Sequence, residues 1–271
     1  MTRTKPFLKW AGNKFRCIEM ILSSFQPATR LIEPFTGSAS IFLNSNFPQY
    51  LLAENNLDLV NLFQILQNEG SDFIQFCASY FKPENNSALR YYELREQFNA
   101  CNDIRLRAAL FLYLNRHGYN GLCRYNQKGG YNVPFGRYIK PYFPLQEMQS
   151  FYQKAQRANF IKADFRQTFK LAKPGDLIYC DPPYVPLSES ANFVSYTNKK
   201  FDENDQIELA ILAQKACKKN ITVIISNHDT ALTRRYYEDA DIFSFPVKRF
   251  ISCAANRRIP AQELLAVFKP S

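Results

Sequence analysis

Short apolar runs of strand length recur in the first fifth of the chain and again in its second half. The runs that predict strands cover residues 29–32, 50–53, 159–162, 176–180, 221–226, 242–245 and 264–268. Helical spacing of apolar residues is found in residues 18–25, directly after Ser40, and in residues 145–158 and 203–219. Alternating strands and helices are typical of an α/β fold with a largely parallel sheet.

The alternation is interrupted between residues 57 and 116, where the apolar spacing is helical throughout. Four helices are predicted there, over residues 57–66, 73–81, 88–98 and 104–114. The chain of 271 residues is long enough for a main domain that carries a smaller insertion. We therefore predict a mostly helical inserted domain at residues 57–144, and a main domain made of residues 1–56 and 145–271.

Residues 115–144, which we call the aromatic–basic segment, differ in composition from the helices before them. Arginine, lysine, tyrosine, asparagine and glycine interleave there, and the Lys128-Gly129-Gly130 stretch is predicted to turn a short hairpin. Arginine can contact guanine with two hydrogen bonds in the major groove, and aromatic rings can stack on bases or wedge between them. The mixture favours nucleic-acid contact over a solvated glycine-rich surface loop.

The composition agrees with an anionic partner. The formal net charge is +10, and aromatic residues make up 15% of the chain, with 24 Phe and 16 Tyr. A basic chain of this kind favours a polyanion such as nucleic acid, although charge says nothing about fold. Hydrophobic residues reach 46%, which is enough for a packed core and excludes wholesale disorder.

Cysteine, histidine and the N-terminus argue against several other classes of protein. The seven cysteines are scattered and form no Cys-x-x-Cys pair, which is typical of thiols in a reducing compartment. Only His117 and His228 are available, so neither a metal site nor a histidine-based nucleophilic triad is expected. The first residues lack the apolar segment of a signal peptide, and no run has transmembrane length, so a soluble cytoplasmic protein is expected.

The stretch Asp181-Pro182-Pro183-Tyr184, which we call the proline turn, directly follows the predicted strand at residues 176–180. Two prolines cannot continue a sheet, because each lacks an N–H and has a fixed φ. The turn therefore offers a carboxylate, free carbonyls and an aromatic ring at the end of a strand. Asp181 and the Pro182 carbonyl can accept hydrogen bonds from an amino group while Tyr184 stacks on a planar ring. This arrangement suits the exocyclic amine of a nucleobase, although an ordinary proline-rich turn would have the same sequence pattern.

A second turn, Glu33-Pro34-Phe35-Thr36-Gly37, joins the first predicted strand to a helix, and we call it the glycine turn. The next strand ends at Glu54, 17 positions after Gly37, near the spacing at which an acid binds ribose hydroxyls in dinucleotide folds. A single glycine argues against a pyrophosphate cradle, so a ribose-bearing ligand without phosphates fits better. Near the N-terminus, Trp10 and Lys14 would serve either as core anchors or as a ring and a cation beside a ligand.

Six motifs together resemble the DNA adenine methyltransferase (Dam) family, over residues 7 to about 269. They are residues 7–12 (FLKWAG), 33–37 (EPFTG), 114–126 (LNRHGYNGLCRYN), 133–138 (VPFGRY), 181–184 (DPPY) and 225–229 (ISNHD). The resemblance implies a Rossmann-like sheet that binds S-adenosyl-L-methionine, with a helical target-recognition insert. It also implies transfer of a methyl group to N6 of adenine in double-stranded DNA, usually within GATC and without a metal. The enzyme is expected to be a monomer, bacterial or phage-encoded, in the cytoplasm and associated with the nucleoid through DNA.

The resemblance also assigns roles to individual residues. It implies catalysis by Asp181, Pro182 and Tyr184. It implies a cofactor pocket formed by Trp10, Lys14, Phe35, Gly37, Glu54, Phe165 and Asp181. It implies DNA contacts from Lys9, Tyr119, Asn120, Leu122, Arg124, Pro134, Arg137 and Tyr138. Three positions depart from the family pattern: Asn13 and Ala39 stand where glycine is common, and Glu54 where aspartate is usual.

The chemistry that we expect is activation of a poor nucleophile. Two acceptors, Asp181 and the Pro182 carbonyl, would localise the N6 lone pair of an adenine that has been flipped out of the duplex. A cytosine-N4 methyltransferase would act on a similar amine, but serine is common there at the position of Asp181. The charge and the aromatic residues would also suit an RNA methyltransferase, or a non-catalytic DNA-binding protein on a degenerate methyltransferase fold.

Overall fold

The computed structural model describes residues 3–184, 201–247 and 261–270. The strands are β1 (Arg30–Glu33), β2 (Gln49–Glu54), β3 (Ala158–Lys162), β4 (Asp176–Cys180), β5 (Thr222–His228), β6 (Asp241–Val247) and β7 (Ala261–Phe268). The helices are α1 (Ile18–Ser23), α2 (Ser40–Asn44), α3 (Leu57–Glu69), α4 (Ser71–Ala78), α5 (Ala88–Ala100), α6 (Ile104–His117), α7 (Leu145–Ala155), α8 (Phe165–Lys170), α9 (Glu203–Cys217) and α10 (Ala231–Tyr236). Short 3-10 helices lie at Pro83–Asn85 and Tyr119–Gly121.

The strands form one sheet in the order β3-β2-β1-β4-β5-β7-β6. Strands β1 to β5 are parallel, and β7 runs antiparallel between β5 and β6. The chain moves outward through β2 and β3 on one side of β1 and through β4 and β5 on the other, so the order reverses between β1 and β4. This is the Rossmann-like arrangement that the sequence predicts, and the carboxyl ends of β1 and β4, where the order reverses, are the place at which open α/β sheets generally bind ligands.

Helices cover both faces of the sheet, which explains why its central strands are apolar runs without alternation. Every residue of β4 is buried. One face packs with α1 to α7 in a cluster rich in phenylalanine, and the other packs with α8 and α9. In the first cluster, Phe63 of α3 lies 4.9 Å from Phe151 of α7 and 5.3 Å from Phe160 of β3, measured between ring centroids.

Every strand and helix that the apolar pattern predicts is present, with ends displaced by a few residues. Two short helices, α8 and α10, are not predicted. Each has six residues and depends on a capping box, Asp164 with Gln167 for α8 and Thr230 with Thr233 for α10, rather than on an apolar stripe. The polar loop predicted from the proline turn to residue 200 lies mostly outside the described residues.

The helical block shares its core with the sheet. Helix α3 packs against α6 and also against β2, β3 and α7, and its buried side chains belong to the same cluster as one face of the sheet. The division of the chain at residues 57 and 144 therefore stays a prediction. None of the helices in the described residues combines the length and apolar character that crossing a membrane needs.

Candidate active site

The proline turn begins in the crevice between β1 and β4. Asp181 follows the last residue of β4, and its Oδ1 accepts a hydrogen bond from Ser226 Oγ of β5 at 3.0 Å. The same oxygen forms an ion pair with Lys14 Nζ at 2.8 Å. Lys14 precedes α1, so the two donors come from opposite ends of the chain. The position of the carboxylate is thus determined by tertiary structure and not by its own turn.

Lys14 is a buried cation at the centre of this site. Its Nζ also donates to the Gly12 carbonyl at 2.9 Å and lies 4.4 Å from the centre of the Tyr184 ring. Burial alone would lower the pKa of Lys14, but the carboxylates of Asp181 and Glu263 outweigh it, and the pKa lies above its ordinary value. The site therefore contains a positive charge at neutral pH.

Tyr184 is held by contacts with β5 and β7. Its hydroxyl donates to Glu263 Oε2 at 3.1 Å, and its ring meets the His228 ring edge-on at 4.7 Å. Burial, and after it the charge of Asp181, raises the pKa of Tyr184 well above its ordinary value. The side chain is therefore a neutral aromatic surface with a fixed orientation.

The second proline of the turn is tied to α9. Gln206 Nε2 donates to the Pro183 carbonyl at 2.8 Å, and Asn227 Nδ2 of β5 donates to Gln206 Oε1 at 3.1 Å. Gln206 and Asn227 are buried. A buried amide that donates to a carbonyl fixes the orientation of that peptide unit, so the proline turn is held at both ends.

The glycine turn packs directly against Trp10. Gly37 has φ +50°, and a Cβ at this position would lie 3.0 Å from Trp10 Nε1, so glycine is required for both reasons. Glu54 at the end of β2 accepts from the Gly37 N–H at 3.1 Å and from the Asn56 N–H at 3.0 Å. Burial raises the pKa of Glu54 despite these bonds. The predicted ribose-binding acid thus also shapes the turn.

Aromatic side chains border the same edge of the sheet. Phe35 follows β1 and stacks on Phe165 after β3, with ring centroids 5.6 Å apart and an interplanar angle of 27°. Phe201 meets both rings, at 5.7 Å from Phe35 and 5.6 Å from Phe165. Phe165 is buried, so it supports the half-buried rings of Phe35 and Phe201, which form an apolar wall beside the glycine turn, of the kind that binds a flat heterocycle.

Glu33, the last residue of β1, is a buried acid that the sequence reasoning did not single out. It is 2% exposed, and among the described residues its Oε1 has no hydrogen-bond partner. Burial, and after it the nearby charge of Asp181, raises the pKa of Glu33 to about 8. A buried polar atom without a partner is costly, and it marks a place where a ligand N–H or a cation would be stabilised.

The aromatic–basic segment contains the predicted hairpin. Tyr125 and Tyr131 pair in antiparallel fashion, and the turn between them is closed by Asn126, whose N–H donates to the Gly130 carbonyl at 2.8 Å. The Asn126 side chain accepts from the Lys128 and Gly130 N–H groups at 2.9 and 3.0 Å. An asparagine that bonds the backbone two residues ahead is typical of tight turns.

Arg124 lies on this hairpin opposite Asn132. Its Nε donates to Asn132 Oδ1 at 2.7 Å and its Nη2 to the Asn132 carbonyl at 2.9 Å. The Asn132 N–H donates in return to the Arg124 carbonyl at 3.1 Å, so the two residues are joined by three hydrogen bonds. One edge of the guanidinium is therefore bound within the hairpin, and its orientation is fixed before any partner arrives.

Lys9 joins the N-terminal segment to the aromatic–basic segment. Asn115 accepts from the Lys9 N–H at 2.9 Å and donates to its carbonyl at 2.7 Å, so the backbone of Lys9 is clamped. Lys9 Nζ donates to the Arg116 carbonyl at 3.3 Å and lies 3.7 Å from the centre of the Tyr138 ring. Burial, and after it the charge of Arg116, lowers the pKa of Lys9 to about 8.

The other predicted DNA contacts lie along the same segment. Tyr119 is 51% exposed, and its N–H donates to the Pro134 carbonyl at 2.9 Å, which brings the two parts of the segment together. Asn120 and Arg137 have φ values of +52° and +54°, which are unusual for residues other than glycine. Leu122 packs partly against the core, and its carbonyl accepts from the Tyr131 hydroxyl.

The comparisons with known proteins agree on one family. A model of the D12 class N6 adenine-specific DNA methyltransferase matches residues 10–251. The chain belongs to this family. The DNA adenine methylase of Vibrio cholerae is 48% identical over 100% of this chain and 98% of that protein. Those of Escherichia coli K12 and Serratia marcescens are 45% and 44% identical, over 100% and 99% of this chain and 97% and 100% of their own lengths.

Membership of the D12 class confirms the predicted family, the α/β fold class and the enzyme class, an adenine-specific DNA methyltransferase. It favours adenine over cytosine N4 as the methyl acceptor, and DNA over RNA. The roles assigned to individual residues stay predictions. Among solved structures, precorrin-6y C5,15-methyltransferase from Geobacter metallireducens superposes with a TM-score of 0.42 at 8% identity, over 99% of this chain and 93% of that one, which is too weak to support an argument.

The three residues that the resemblance marks as unusual, Asn13, Ala39 and Glu54, have visible local roles. Asn13 donates from Nδ2 to the Trp10 carbonyl at 3.0 Å and so closes the turn before α1. Ala39 has φ +60° and ψ +31°, the left-handed conformation that glycine would adopt without strain. Glu54 uses its longer side chain to bond two backbone N–H groups.

Besides Glu33, the sequence reasoning missed Ser226, Gln206 and Asn132. For Ser226, the signal was the ISNHD motif at the end of a predicted strand, next to the strand that ends at Asp181. For Asn132, the signal was its position opposite Arg124 across the predicted hairpin. No pattern in the sequence marks Gln206, because its partner lies in another element.

Proposed function

We propose that this enzyme transfers the methyl group of S-adenosyl-L-methionine to N6 of an adenine flipped out of duplex DNA, with GATC as its target. The observation that carries the proposal is the Asp181 carboxylate, held beside the Tyr184 ring at the switch point of a Rossmann-like sheet. Ligands of open α/β sheets bind at this place. We further propose that the enzyme acts in a bacterial or phage-infected cytoplasm, as a monomer.

The residues of the crevice fit S-adenosyl-L-methionine. Glu33 Oε1, which is buried and has no hydrogen-bond partner among the described residues, suits the cationic amino group of an amino acid, because that charge would offset the burial that raises the pKa of Glu33 and would favour its ionised form. The wall of Phe35 and Phe201, supported by Phe165, suits a purine ring. Each Glu54 oxygen already accepts one backbone N–H, and a carboxylate oxygen has a second lone pair that can accept a ribose hydroxyl. When bound, the cofactor supplies an electrophilic methyl group.

The proline turn would activate the amine. The N6 lone pair of adenine is delocalised into the ring, so it is a poor nucleophile until its protons are engaged. Asp181 and the Pro182 carbonyl would accept those protons, and the charge of Asp181 would stabilise the positive charge that develops on the nitrogen. The fixed position of the carboxylate matters because acceptors that need no reorganisation are most effective in the transition state.

Tyr184 would provide the surface on which the flipped base stacks. Lys14 Nζ lies over one face of this ring, at 4.4 Å from its centre. A base that stacks on Tyr184 therefore takes the opposite face or displaces the ammonium group. Stacking on an aromatic side chain offsets part of the cost of unstacking the base from the duplex.

The aromatic–basic segment would bind the duplex. Its candidate contacts divide into two kinds: the Arg124 guanidinium for the edge of a base and the Lys9 ammonium for an acceptor on the DNA. Tyr119, exposed at the end of α6, has the size and position of a wedge residue that fills the gap left by the base.

The test of the proposed function is methylation of plasmid DNA. The purified protein and S-adenosylmethionine should make every GATC site resistant to a nuclease that adenine methylation blocks. A nuclease that cuts only methylated GATC should then cut. A plasmid whose GATC sites are changed at one base serves as the control. If GATC sites stay cleavable while radiolabelled methyl groups enter DNA elsewhere, the specificity is wrong; if no label enters DNA, the activity is wrong.

A further inference from the structure

Strand β5 contains a motif to which the proposed reaction gives no role, the ISNHD sequence of residues 225–229. Its Ser226 is completely buried and follows Ile225, which pairs with Cys180 in the register of β4 and β5. Ser226 Oγ lies 3.0 Å from Asp181 Oδ1, 3.0 Å from the Tyr179 hydroxyl and 3.3 Å from the Cys180 carbonyl. The Tyr184 side chain is a further hydrogen-bonding neighbour of Ser226, so a single hydroxyl has four polar neighbours.

The direction of these hydrogen bonds follows from the number of protons. Burial, and after it the charge of Asp181, raises the pKa of Tyr179 well above its ordinary value, so its hydroxyl remains a donor and donates to Ser226. Ser226 can then donate its one proton to Asp181, to the Cys180 carbonyl or to the Tyr184 hydroxyl, and of these three only Asp181 carries a charge. The carboxylate is nearer and charged, and charge-assisted hydrogen bonds are about twice as strong as neutral ones. The hydrogen bonds therefore run in one direction, from the Tyr179 hydroxyl to Ser226 and from Ser226 to Asp181.

Both partners of the Asp181 carboxylate bind the same oxygen. Oδ1 accepts from Ser226 Oγ and from Lys14 Nζ, whereas no bond to Oδ2 is found among the described residues. We propose that Ser226 is a positioning residue for methyl transfer, which holds Oδ1 against β5 and so leaves Oδ2 to accept from the substrate amine. This inference deepens the proposed function and rests on it.

Ser226 is better suited to this role than Lys14. A lysine ammonium is a compact charge with three rotatable donors on a four-carbon stem, so it imposes little direction on the carboxylate. The serine hydroxyl is attached to a central strand, and its other lone pair is occupied by Tyr179. The Ser226 bond therefore determines the rotation of the carboxylate, and the lysine contributes mainly charge.

The test compares three variants. In Ser226→Ala, the single-turnover rate at saturating DNA and cofactor should fall about 10- to 100-fold, the range expected when a reacting group is misplaced. The KM values for DNA and cofactor should change little. Stability should fall as well, because the buried Tyr179 hydroxyl loses its acceptor. Tyr179→Phe keeps the bond from Ser226 to Asp181, so its rate should fall by no more than about threefold.

The double variant Ser226→Ala with Tyr179→Phe separates positioning from stability. Because it removes both hydroxyls, it should regain part of the thermal stability lost in Ser226→Ala, while the rate stays low. Ser45→Ala removes a buried serine hydroxyl whose one hydrogen-bond partner within the described part of the chain is the Phe42 carbonyl, and it controls for the loss of any buried hydroxyl. A rate that recovers together with stability in the double variant would overturn the positioning role. So would a wild-type rate in Ser226→Ala, provided that Asp181→Ala is inactive. A wild-type rate in Asp181→Ala would instead contradict the catalytic role of Asp181, and a wild-type protein that transfers no methyl group would contradict the proposed function.

Discussion

The proline turn and the aromatic–basic segment are built in opposite ways. The side chains around Asp181 come from positions 14, 226 and 263, and the register of the sheet brings them together. The hairpin around Arg124 is closed by bonds between residues at most nine positions apart. The proposed catalytic group, Asp181, thus depends on the whole sheet, whereas the proposed base-reading group, Arg124, depends on a local structure of few residues.

The aromatic–basic segment is nevertheless fixed to the helices by hydrogen bonds from its tyrosines. Tyr125 donates to Asp58 Oδ2 of α3 at 2.6 Å, and Asp58 also pairs with Arg107 of α6. Asn99 of α5 accepts from the Tyr131 N–H at 2.8 Å and donates to its carbonyl at 3.2 Å. These anchors set the position of the hairpin, and its own bonds set its shape. Substitutions in one region should therefore separate the chemistry from the reading of DNA sequence.

The largest effect is expected from Asp181→Ala, which should abolish methyl transfer and leave binding of GATC duplexes largely intact. Removing one group that stabilises transition-state charge costs about 100- to 1,000-fold in rate. Asp181→Asn should be intermediate or nearly inactive, because its amide oxygen can accept one bond without the charge. Transfer should be measured at saturating cofactor, binding by mobility shift, and flipping by the fluorescence of 2-aminopurine at the target position. Transfer at near the wild-type rate in Asp181→Ala would contradict the mechanism.

Next in size is the effect of Arg124→Ala on specificity. Loss of a guanidinium that reads a base edge should cost about 1–3 kcal/mol of discrimination against a wrong base pair. Asn132→Ala should cost less, because the Asn132 carbonyl still holds Nη2. The measurement is methylation of GATC duplexes in competition with duplexes altered at one position.

Lys128→Ala, at the exposed tip of the same hairpin, is the control for the Arg124 prediction. It removes a positive charge and leaves the hydrogen bonds between Arg124 and Asn132 in place. A phosphate contact at this position would weaken binding to all sequences and lower its salt dependence. If Arg124→Ala behaves in the same uniform way, Arg124 contacts the backbone of the DNA and not a base.

This contrast also explains what the sequence could predict. The proline turn is recognisable because Asp181 and Tyr184 lie within four consecutive residues, and the hairpin is recognisable because glycines mark its turn. Glu33 and Ser226 become site residues only when β1 and β5 are placed on either side of β4, which requires the strand order. Gln206 is harder still to predict from the sequence, because its position depends on how α9 packs over the sheet. Asn132 could have been found from the hairpin register alone.

A third, smaller effect concerns the pH dependence of DNA binding. The pKa of Lys9 is lowered to about 8, so its ammonium is charged at pH 7 and loses its proton as the pH rises through 8. If Lys9 contacts DNA as a cation, affinity should weaken severalfold between pH 7 and 9 at constant ionic strength. Lys9→Arg should flatten this dependence, because arginine stays charged. Equal pH dependence in the two proteins would assign the titration to another group.

The smallest effect is expected from Ala39→Gly beside the glycine turn. Ala39 adopts φ +60°, which costs about 1–2 kcal/mol for a residue with a Cβ. Its methyl group is completely buried, and loss of that burial would cost about 0.8 kcal/mol. Glycine also loses about 0.5–1 kcal/mol more backbone entropy on folding than alanine. These contributions nearly cancel, so the free energy of unfolding should change by less than about 1 kcal/mol.

Relief of the strain at residue 39 should nevertheless act on the cofactor side of the site. Methyl transfer should stay intact in Ala39→Gly, and S-adenosylmethionine should bind modestly tighter by calorimetry. The matched variant is Gly37→Ala, which adds a Cβ at φ +50° and 3.0 Å from Trp10 Nε1, so cofactor binding should weaken. Opposite signs in the two variants would show that backbone conformation in this turn controls affinity. Weaker binding in Ala39→Gly would instead show that the packing of its methyl group outweighs the strain.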